Sequence, residues 1–172
     1  VDELKRLVTE FSSFARMPAV QKDMNNFEEM AKDAMVLYTE VNKGIDFTYT
    51  CKDAVPSFSF DLKQIKRVLI NLLDNAVGSV SENGNKGCID VIISQDEEQK
   101  HVLLEVRDNG QGVNDEDKHH LFEPYFSRKK TGTGLGLAIA STIISDHGGY
   151  IRVKDNEPRG ARFIVELPLI YS

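Results

Sequence analysis

The sequence predicts an α+β fold, in which one mixed, mostly antiparallel sheet carries its helices on one face. Two observations indicate this class. Segments whose apolar residues recur at helical spacing come in among shorter segments with strand patterns. Hairpin-length connections, SQDEEQK and DNEPRG, join neighbouring strand candidates, which favours antiparallel pairing. With 172 residues, the chain is long enough to bury one core without a disulfide or a metal ion.

The first element is a helix predicted over residues 1–16. Its apolar residues follow a heptad pattern, which is typical of a helix that packs against another helix. Pro18 ends it, and residues 19–26 are interpreted as a linker or an edge strand. The apolar positions are Val1, Leu4, Val8, Phe11 and Ala15, widened by Leu7 and Phe14.

Three more helices are predicted from apolar periodicity and from their end signals. Asn26 with Glu29 resembles a capping box, and Asp61 is a plausible N-cap three residues before Gln64. The helices are expected at residues 27–41, 62–80 and 135–146.

Six short segments have the composition and alternation of strands. Residues 114–133 show neither helical nor strand periodicity, and irregular loops of that length in compact domains are usually functional. The strands are expected at residues 46–50, 57–60, 88–94, 102–107, 150–154 and 161–167.

The composition excludes several classes of function. The net charge of −6 argues against broad binding of nucleic acids or of anionic membranes. Cys51 and Cys88 lack metal-binding spacing and are expected to be reduced thiols in the cytoplasm. No apolar run reaches the ~18 residues that a membrane helix needs. Because the chain begins with Val1 and not with Met, we expect it to be part of a longer protein.

The segment NLLDNA, residues 71–76, places two amides on one helical face, because Asn71 and Asn75 are four residues apart. One interpretation is a pair of solvated surface side chains. The other is a pair facing a cleft, where amide oxygens suit Mg²⁺ and amide N–H groups suit phosphate.

The segment VRDNGQGV, residues 106–113, ends a predicted strand in Asp108. Asp-Asn-Gly is strong turn chemistry, so a plain hairpin turn is one interpretation. Alternatively, the carboxylate accepts a hydrogen bond from an amino group such as that of adenine, while Gly110 and Gly112 let a flat ring approach the backbone.

The segment RKKTGTGLGLAIA, residues 128–140, sets three cations before a glycine run. It matches neither GxxxxGK[ST] nor GxGxxG. The run precedes a predicted helix, where backbone N–H groups and the helix dipole favour anions; a solvated charge run is the alternative. An amide pair, a purine-type carboxylate and a phosphate-type loop in one chain would together serve Mg²⁺-ATP. The cations are Arg128, Lys129 and Lys130.

These segments resemble the conserved boxes of two-component sensor histidine kinases. NLLDNA resembles their N box, DNGQG the G1 box, LFEPYF the F box, GTGLGLAIA the G2 box and GARFIVELP the G3 strand, in family order. In wording, EFSSFARMP and EPYFSRKKTGTGLGLAI most resemble the nitrogen-regulation kinases of the NtrY/NtrB type. The resemblance implies the Bergerat fold of the GHKL superfamily, shared with gyrase, Hsp90 and MutL ATPases, with ATP held under a mobile lid.

The resemblance also implies a role for each matching residue. Asn75 would ligate Mg²⁺ with possible help from Asn71, and Asp108 would bind the adenine amino group. Phe122 and Phe126 would anchor the lid, residues 114–133. The implied ATP-binding residues are Asn71, Asn75, Asp108, Gly110, Gly112, Arg128, Lys129, Lys130, Thr133, Gly134, Leu135, Gly136 and Leu137.

The implied organisation has two parts. Residues 1–18 resemble the second helix of the dimerisation and phosphoacceptor hairpin, and residues 19–172 the catalytic domain. The implied reaction passes the γ-phosphoryl group of ATP to a histidine on that hairpin and then to an aspartate of a response regulator. The parent is expected to be a homodimer, cytoplasmic or anchored in the inner membrane, and not to bind nucleic acid.

The acceptor histidine is expected to lie outside this chain, so no catalytic nucleophile is assigned in it. None of the four histidines has the surroundings of the acceptor motif, and we interpret them as structural or surface residues. They are His101, His119, His120 and His147.

Departures from the family pattern leave rival interpretations open. Gly78 and Ser79 follow the N box where many members have a charged residue, and Ala161 replaces a frequent threonine. One rival is an ATPase of the gyrase or Hsp90 kind. Those enzymes have a glutamate at the position of Asn71, and the asparagine amide cannot take a proton from water as a glutamate can. The others are an anti-sigma-type serine kinase and a non-catalytic nucleotide-binding module.

Overall fold

The structure is a computed structural model that describes residues 1–82, 84–128 and 132–172. The helices in these ranges are α1 (Asp2–Ala15), α2 (Phe27–Val41), α3 (Leu62–Ser81), α4 (Asp115–Lys118) and α5 (Gly136–Asp146). The strands are β1 (Asp23–Asn25), β2 (Ile45–Cys51), β3 (Phe58–Phe60), β4 (Gly87–Asp96), β5 (His101–Asp108), β6 (Tyr150–Asp155) and β7 (Ala161–Pro168).

The main sheet has five strands in the order β2-β4-β5-β7-β6. Only β2 and β4 run parallel; the other neighbouring pairs are antiparallel. The two hairpin connections predicted from the sequence join β4 to β5 and β6 to β7. The predicted mixed, mostly antiparallel sheet is therefore confirmed.

One predicted strand lies outside this sheet. β3 pairs with β1 in a separate two-stranded antiparallel sheet. Three buried rings hold it against the start of α2: Phe27 lies 5.6 Å from both Phe58 and Phe60, and those two rings lie 4.8 Å apart between centroids. The aromatic packing of Phe58 and Phe60 thus gives β3 a structural role at the end of the helical layer.

The main core lies between the sheet and helices α2, α3 and α5. Alternate residues of β4, β5 and β7 point into it, as the period of a strand requires. The two predicted N-caps are confirmed: Asn26 accepts from the Glu29 N–H at 3.0 Å, and Asp61 from the Gln64 N–H at 3.1 Å.

His147 links the start of α3 to the end of α5. Its Nδ1–H donates to the Ile143 carbonyl at 2.8 Å, and its Nε2 accepts from the Asp61 N–H at 3.1 Å. Only 3% of this residue is exposed, and burial lowers the pKa of the imidazole below 6.5. His147 is therefore a neutral structural residue, as the sequence predicted for the histidines.

α1 contacts the core near its C-terminal end, where the partly buried Phe14 packs against it, although none of the α1 residues is fully buried. The chain after α1 is fixed to the start of α3. The Gln21 N–H donates to Asp61 at 2.9 Å, and the Gln64 side chain donates to the Pro18 carbonyl at 3.1 Å. Within the described residues, no helix is both long and apolar enough to cross a membrane.

Candidate nucleotide-binding site

Asp108 is the last residue of β5 and only 2% of it is exposed. Its Oδ1 accepts from the Gly110 N–H at 2.9 Å, from the Ser79 hydroxyl at 3.2 Å and from the Ala161 N–H at 3.4 Å. Three donors from three segments thus hold one carboxylate oxygen, which stabilises the buried charge and orients the side chain.

Gly110 is required by close packing at this point. A Cβ atom there would lie 2.1 Å from the Ser79 hydroxyl and 2.7 Å from the Ser79 carbonyl oxygen. The turn is also tied from behind, since Asn156 donates to the Asp108 carbonyl at 2.9 Å and Arg159 to the Gly110 carbonyl at 3.0 Å. DNGQG is therefore a fixed support for Asp108 and more than a hairpin turn.

Ser79 was missed as a site residue. The sequence analysis treated it as a departure from the family pattern, yet its hydroxyl contacts Asp108. One signal was available: Ser79 follows Asn75 by four residues, so the two side chains lie on the same face of α3.

A cavity of about 520 Å³ opens beside Asp108, which is within the range of ligand sites. Polar and apolar side chains line the cavity in nearly equal measure, an arrangement that suits a flat ring with polar edges. The apolar lining residues, called the apolar wall, are Val113, Leu121, Phe126, Leu137 and Ala161. The polar lining residues include Asn75, Ser79, Asp108, Gln111, Asn114, Asp117, Ser127 and Arg128.

The two amides of the N box have different surroundings. Asn75 lines the cavity. Asn71, one turn earlier, donates from Nδ2 to the Gly136 carbonyl at 2.9 Å, and so holds the first turn of α5 against α3. Asn75 therefore lines the cavity, whereas Asn71 supports the glycine segment.

The lid segment contains one helical turn, α4, which the sequence analysis did not predict. Asn114 caps it by accepting from the Asp117 N–H at 2.8 Å. Four residues are too few to show a helical period, so no sequence pattern predicted α4. Phe122 packs edge-on against Phe163 of β7 at 6.2 Å between ring centroids, and its role as an anchor of the lid stays a prediction.

Arg128, predicted to approach phosphates, lines the cavity and binds Asp117. Its Nη2 lies 2.9 Å, and its Nε 3.2 and 3.3 Å, from the Asp117 carboxylate oxygens. This partner raises the pKa of the guanidinium, which stays charged. Lys129 and Lys130 lie outside the described residues.

The glycine segment is anchored at both ends. Gly134 has φ +73°, and a Cβ there would lie 2.4 Å from the Tyr125 carbonyl carbon; its own carbonyl accepts from the Tyr125 N–H at 2.9 Å. The Thr133 hydroxyl donates to Glu10 of α1 and accepts from the Leu135 N–H at 3.4 Å. In this structure the Leu135 N–H, one of the donors predicted for phosphate, therefore has a partner within the protein.

The structure brings most of the predicted site residues to one place. Gly110 supports Asp108 from outside the cavity wall, and Asn71, Thr133, Gly134, Leu135 and Gly136 form the adjoining start of α5. The predicted residues that line the cavity itself are Asn75, Asp108, Gly112, Arg128 and Leu137.

Residues 60–170 match the family described as "Histidine kinase-, DNA gyrase B-, and HSP90-like ATPase". The match includes the cavity and the glycine segment and covers more than half of the chain. The chain therefore belongs to this family, as its sequence motifs indicated.

The similar proteins are sensor histidine kinases. Nitrogen regulation protein NtrY of Azorhizobium caulinodans is 33% identical over 164 residues, which are 94% of this chain and 21% of that protein. Sensor histidine kinase ZraS of Klebsiella oxytoca is 32% identical over 170 residues, 98% of this chain and 36% of that protein. The chain thus spans between about a fifth and a third of the relatives it matches. Of the relatives named above, NtrY supports the predicted link to nitrogen regulation.

Solved structures agree with this assignment. The nucleotide-free catalytic domain of histidine kinase ThkA has a TM-score of 0.77 and 31% identity, covering 89% of this chain and 97% of that one. Full-length ShkA in complex with AMPPNP has a TM-score of 0.86 and 25% identity, covering 99% of this chain and 37% of the ShkA chain. ThkA in complex with response regulator TrrA has a TM-score of 0.81 and 28% identity, covering 98% and 48%. The predicted fold class is confirmed.

Proposed function

We propose that this chain is the ATP-binding catalytic part of a sensor histidine kinase, with the nucleotide in the cavity beside Asp108. The observation that carries the proposal is the Asp108 carboxylate, which is buried, lines the cavity and is held by three donors. The site would bind a ring whose amino group donates to this carboxylate more tightly than a ring without a donor at that position. The ShkA neighbour was solved with AMPPNP, which supports the nucleotide class.

The residues also fit a magnesium ion that arrives with the nucleotide. Among the described residues no group of three or more His, Cys, Asp or Glu side chains can hold an ion alone. Mg²⁺ commonly takes one or two protein oxygens together with phosphate oxygens. The Asn75 amide oxygen would supply such a ligand, and help from Asn71 stays a prediction. When bound, the ion neutralises charge on the transferring phosphoryl group.

The chain's own residues bind and orient the nucleotide. Asp108 and the apolar wall hold the base, while Arg128 and the N-terminus of α5 are placed to meet negative charge. Phosphoryl transfer depends mainly on such positioning and charge stabilisation. No group in this chain is assigned as the nucleophile.

The acceptor is proposed to be a histidine on the dimerisation hairpin, whose second helix would be residues 1–18, with residues 19–172 forming the catalytic domain. The phosphoryl group would then pass to an aspartate of a response regulator. The ThkA–TrrA complex supports that class of partner, and the parent would act as a homodimer at the cytoplasmic side.

The proposal is tested in two steps. AMPPNP is first titrated into the chain with and without Mg²⁺. ATP labelled at the γ position is then added to the chain, alone and with a hairpin that carries an intact acceptor histidine. We expect saturable binding, no label on this chain, and acid-labile label on the hairpin.

Absence of nucleotide binding would overturn the nucleotide assignment. Binding without transfer to any histidine hairpin, accompanied by steady release of inorganic phosphate, would favour an ATPase of the gyrase kind. No observation favours that alternative, since the Asn71 side chain is engaged with Gly136 and has no carboxylate to activate water.

A further inference from the structure

α1 contacts the segment before α5 through a charged residue and not through its apolar stripe. The hydroxyl of Thr133, three residues before α5, donates to the Glu10 carboxylate. Glu10 is half-buried at this contact. The apolar residues Val8 and Phe11 beside it are 55% and 49% exposed. The contact therefore depends on hydrogen bonding and charge, and not on the burial of apolar surface.

The Thr133 hydroxyl has one proton to donate. Its oxygen also accepts from the Leu135 N–H at 3.4 Å, so this hydroxyl connects Glu10 to the N-terminus of α5. While the proton is directed to Glu10, it cannot be donated to a phosphate oxygen. Because Thr133 is one of the residues predicted to bind phosphate, the Glu10 carboxylate and a phosphate compete for the same donor.

The N-terminus of α5 has no anionic residue of its own. Its N-cap is Leu135, whose side chain cannot cap a helix, and its first turn contains no acidic residue. The backbone N–H groups and the helix dipole at this end favour an anion. Glu10 brings a carboxylate from another helix to the residue that leads into this end, where its charge repels the phosphates of a nucleotide.

We propose that Glu10 is an autoinhibitory residue of the nucleotide site, whose contact with Thr133 must break when the phosphates of a nucleotide bind. This inference rests on the proposed function, because it concerns the phosphate end of that site. Thermodynamic linkage makes the effect reciprocal. The nucleotide loosens the contact of α1 by the same factor by which that contact weakens nucleotide binding.

The attachment of α1 allows Glu10 to separate from Thr133 while the rest of the fold stays intact. None of the α1 residues is fully buried, and Phe14, one turn after Glu10, packs against the core. The chain beyond α1 is fixed to α3 by the hydrogen bond of Gln21 to Asp61. A displacement of α1 about this fixed end would release Thr133. Any partner that displaces α1 in this way would strengthen nucleotide binding without entering the cavity.

The first test compares nucleotide affinity in Glu10→Gln and in the unsubstituted chain by calorimetric titration with AMPPNP. Glutamine keeps the size of the side chain and removes its charge. We expect the variant to bind AMPPNP roughly three- to tenfold more tightly. Adenosine has no phosphates, so its affinity should not change. Glu3→Gln, an exposed position of the same helix, is the control of equal charge and should bind AMPPNP as the unsubstituted chain does.

The second test measures the attachment of α1 directly, by amide hydrogen exchange over residues 2–15. A helix of 14 residues is only marginally stable by itself, so loss of a contact should make its amides exchange faster. Saturating AMPPNP should speed exchange in the unsubstituted chain, whereas saturating adenosine should not. In Glu10→Gln the exchange should be faster before any ligand is added, and AMPPNP should increase it little further.

Three outcomes would overturn this inference and leave the proposed function standing. Equal or weaker AMPPNP binding by Glu10→Gln would mean that Glu10 does not oppose the phosphates. Equal gains in Glu10→Gln and Glu3→Gln would reduce the effect to net charge. Exchange over residues 2–15 that AMPPNP leaves unchanged would show that the contact persists in the complex. AMPPNP that binds none of these chains would overturn the proposed function as well.

Discussion

The two ends of the candidate site differ in how far they are prepared for a ligand. At the base end, Asp108 is buried and held by hydrogen bonds from α3, the DNGQG turn and β7. At the phosphate end, Arg128 binds Asp117 and Thr133 binds Glu10 of α1. The first end is ready to bind, whereas the second must exchange partners within the protein for partners on the ligand.

The difference indicates which end of the site contributes more to the free energy of nucleotide binding. A preorganised acceptor loses little conformational freedom when the ligand arrives. A group that leaves an existing ion pair contributes only the difference between two interactions. Changes at the base end should therefore alter nucleotide affinity more strongly than changes at the phosphate end.

The largest effect is expected for Asp108→Asn. The amide keeps an oxygen for the three protein donors but loses the charge that would accept from the base. Affinity for ATP should fall by roughly 1.5–3 kcal/mol, about 10- to 150-fold. Calorimetric titration measures the change, with the exposed Asp33→Asn as a control of equal charge. Unchanged affinity would contradict the assignment of the base end.

Asn75→Ala should come next and should separate the ion from the base. Loss of an amide oxygen that holds the ion would weaken binding of Mg²⁺-ATP by about tenfold, with a smaller loss in the presence of EDTA. The two titrations of the same variant control each other. Equal losses with and without Mg²⁺ would remove the metal role of Asn75.

His147 offers a test of the packing between α3 and α5, which carry Asn75 and the glycine segment. Its folded-state pKa lies below the unfolded value of 6.5 because the ring is buried, so the unfolded chain takes up the proton first. The contribution of neutral His147 to the free energy of unfolding is complete above about pH 6.5. It falls as the pH drops, by up to about 1.4 kcal/mol for each pH unit, until the imidazole of the folded protein is also protonated.

Urea unfolding at pH 7.5, 6.5 and 5.5 measures this effect. His147→Gln is the matched control, because its amide can donate to Ile143 and accept from Asp61 without titrating. We expect a smaller loss of unfolding free energy in the variant between pH 6.5 and 5.5. Equal losses in both proteins would show that other groups cause the acid sensitivity.

Ser79→Ala removes one of the three donors to Asp108 and sharpens the comparison. The two backbone donors remain, so the carboxylate should stay in place with a less complete set of partners. We expect ATP affinity to fall by about 1 kcal/mol, roughly fivefold. Ser81→Ala, at an exposed position of the same helix, is the control, and a similar loss in both variants would exclude a specific role for Ser79.

Asp117→Asn should have the smallest effect, and of opposite sign. The substitution weakens the ion pair with Arg128 and so releases the guanidinium for the phosphates. Because Arg128 is exposed and exposed ion pairs are weak, we expect only roughly two- to fivefold tighter ATP binding. Adenosine, which has no phosphates, should bind the variant and the unsubstituted chain equally. Weaker ATP binding would mean that the ion pair orders the lid for the nucleotide.

Much of the fold was predictable because its signals are local. The apolar periods of α2 and α3, the capping residues Asn26 and Asp61, and the hairpin connections all lie within short segments. The pairing of β3 with β1 was not predictable, because it depends on rings that meet only after the chain has folded. α4 was missed because one turn is shorter than the period that would reveal it.

The candidate site shows the same division. Asp108, Asn75 and the glycine segment were predicted because their residue types and spacing indicate chemistry on their own. The contacts of Ser79 with Asp108, of Asn71 with Gly136 and of Arg128 with Asp117 join residues that lie 11 to 65 positions apart.

The amino-acid sequence alone determined the family, the order of the elements and the segments that carry the candidate chemistry, since each depends on residues close together in the chain. Only the tertiary structure decided which polar groups face the cavity and which are bound to other parts of the protein. The physical reason is that strand register and helix packing set distances between remote residues, and local patterns do not encode those distances.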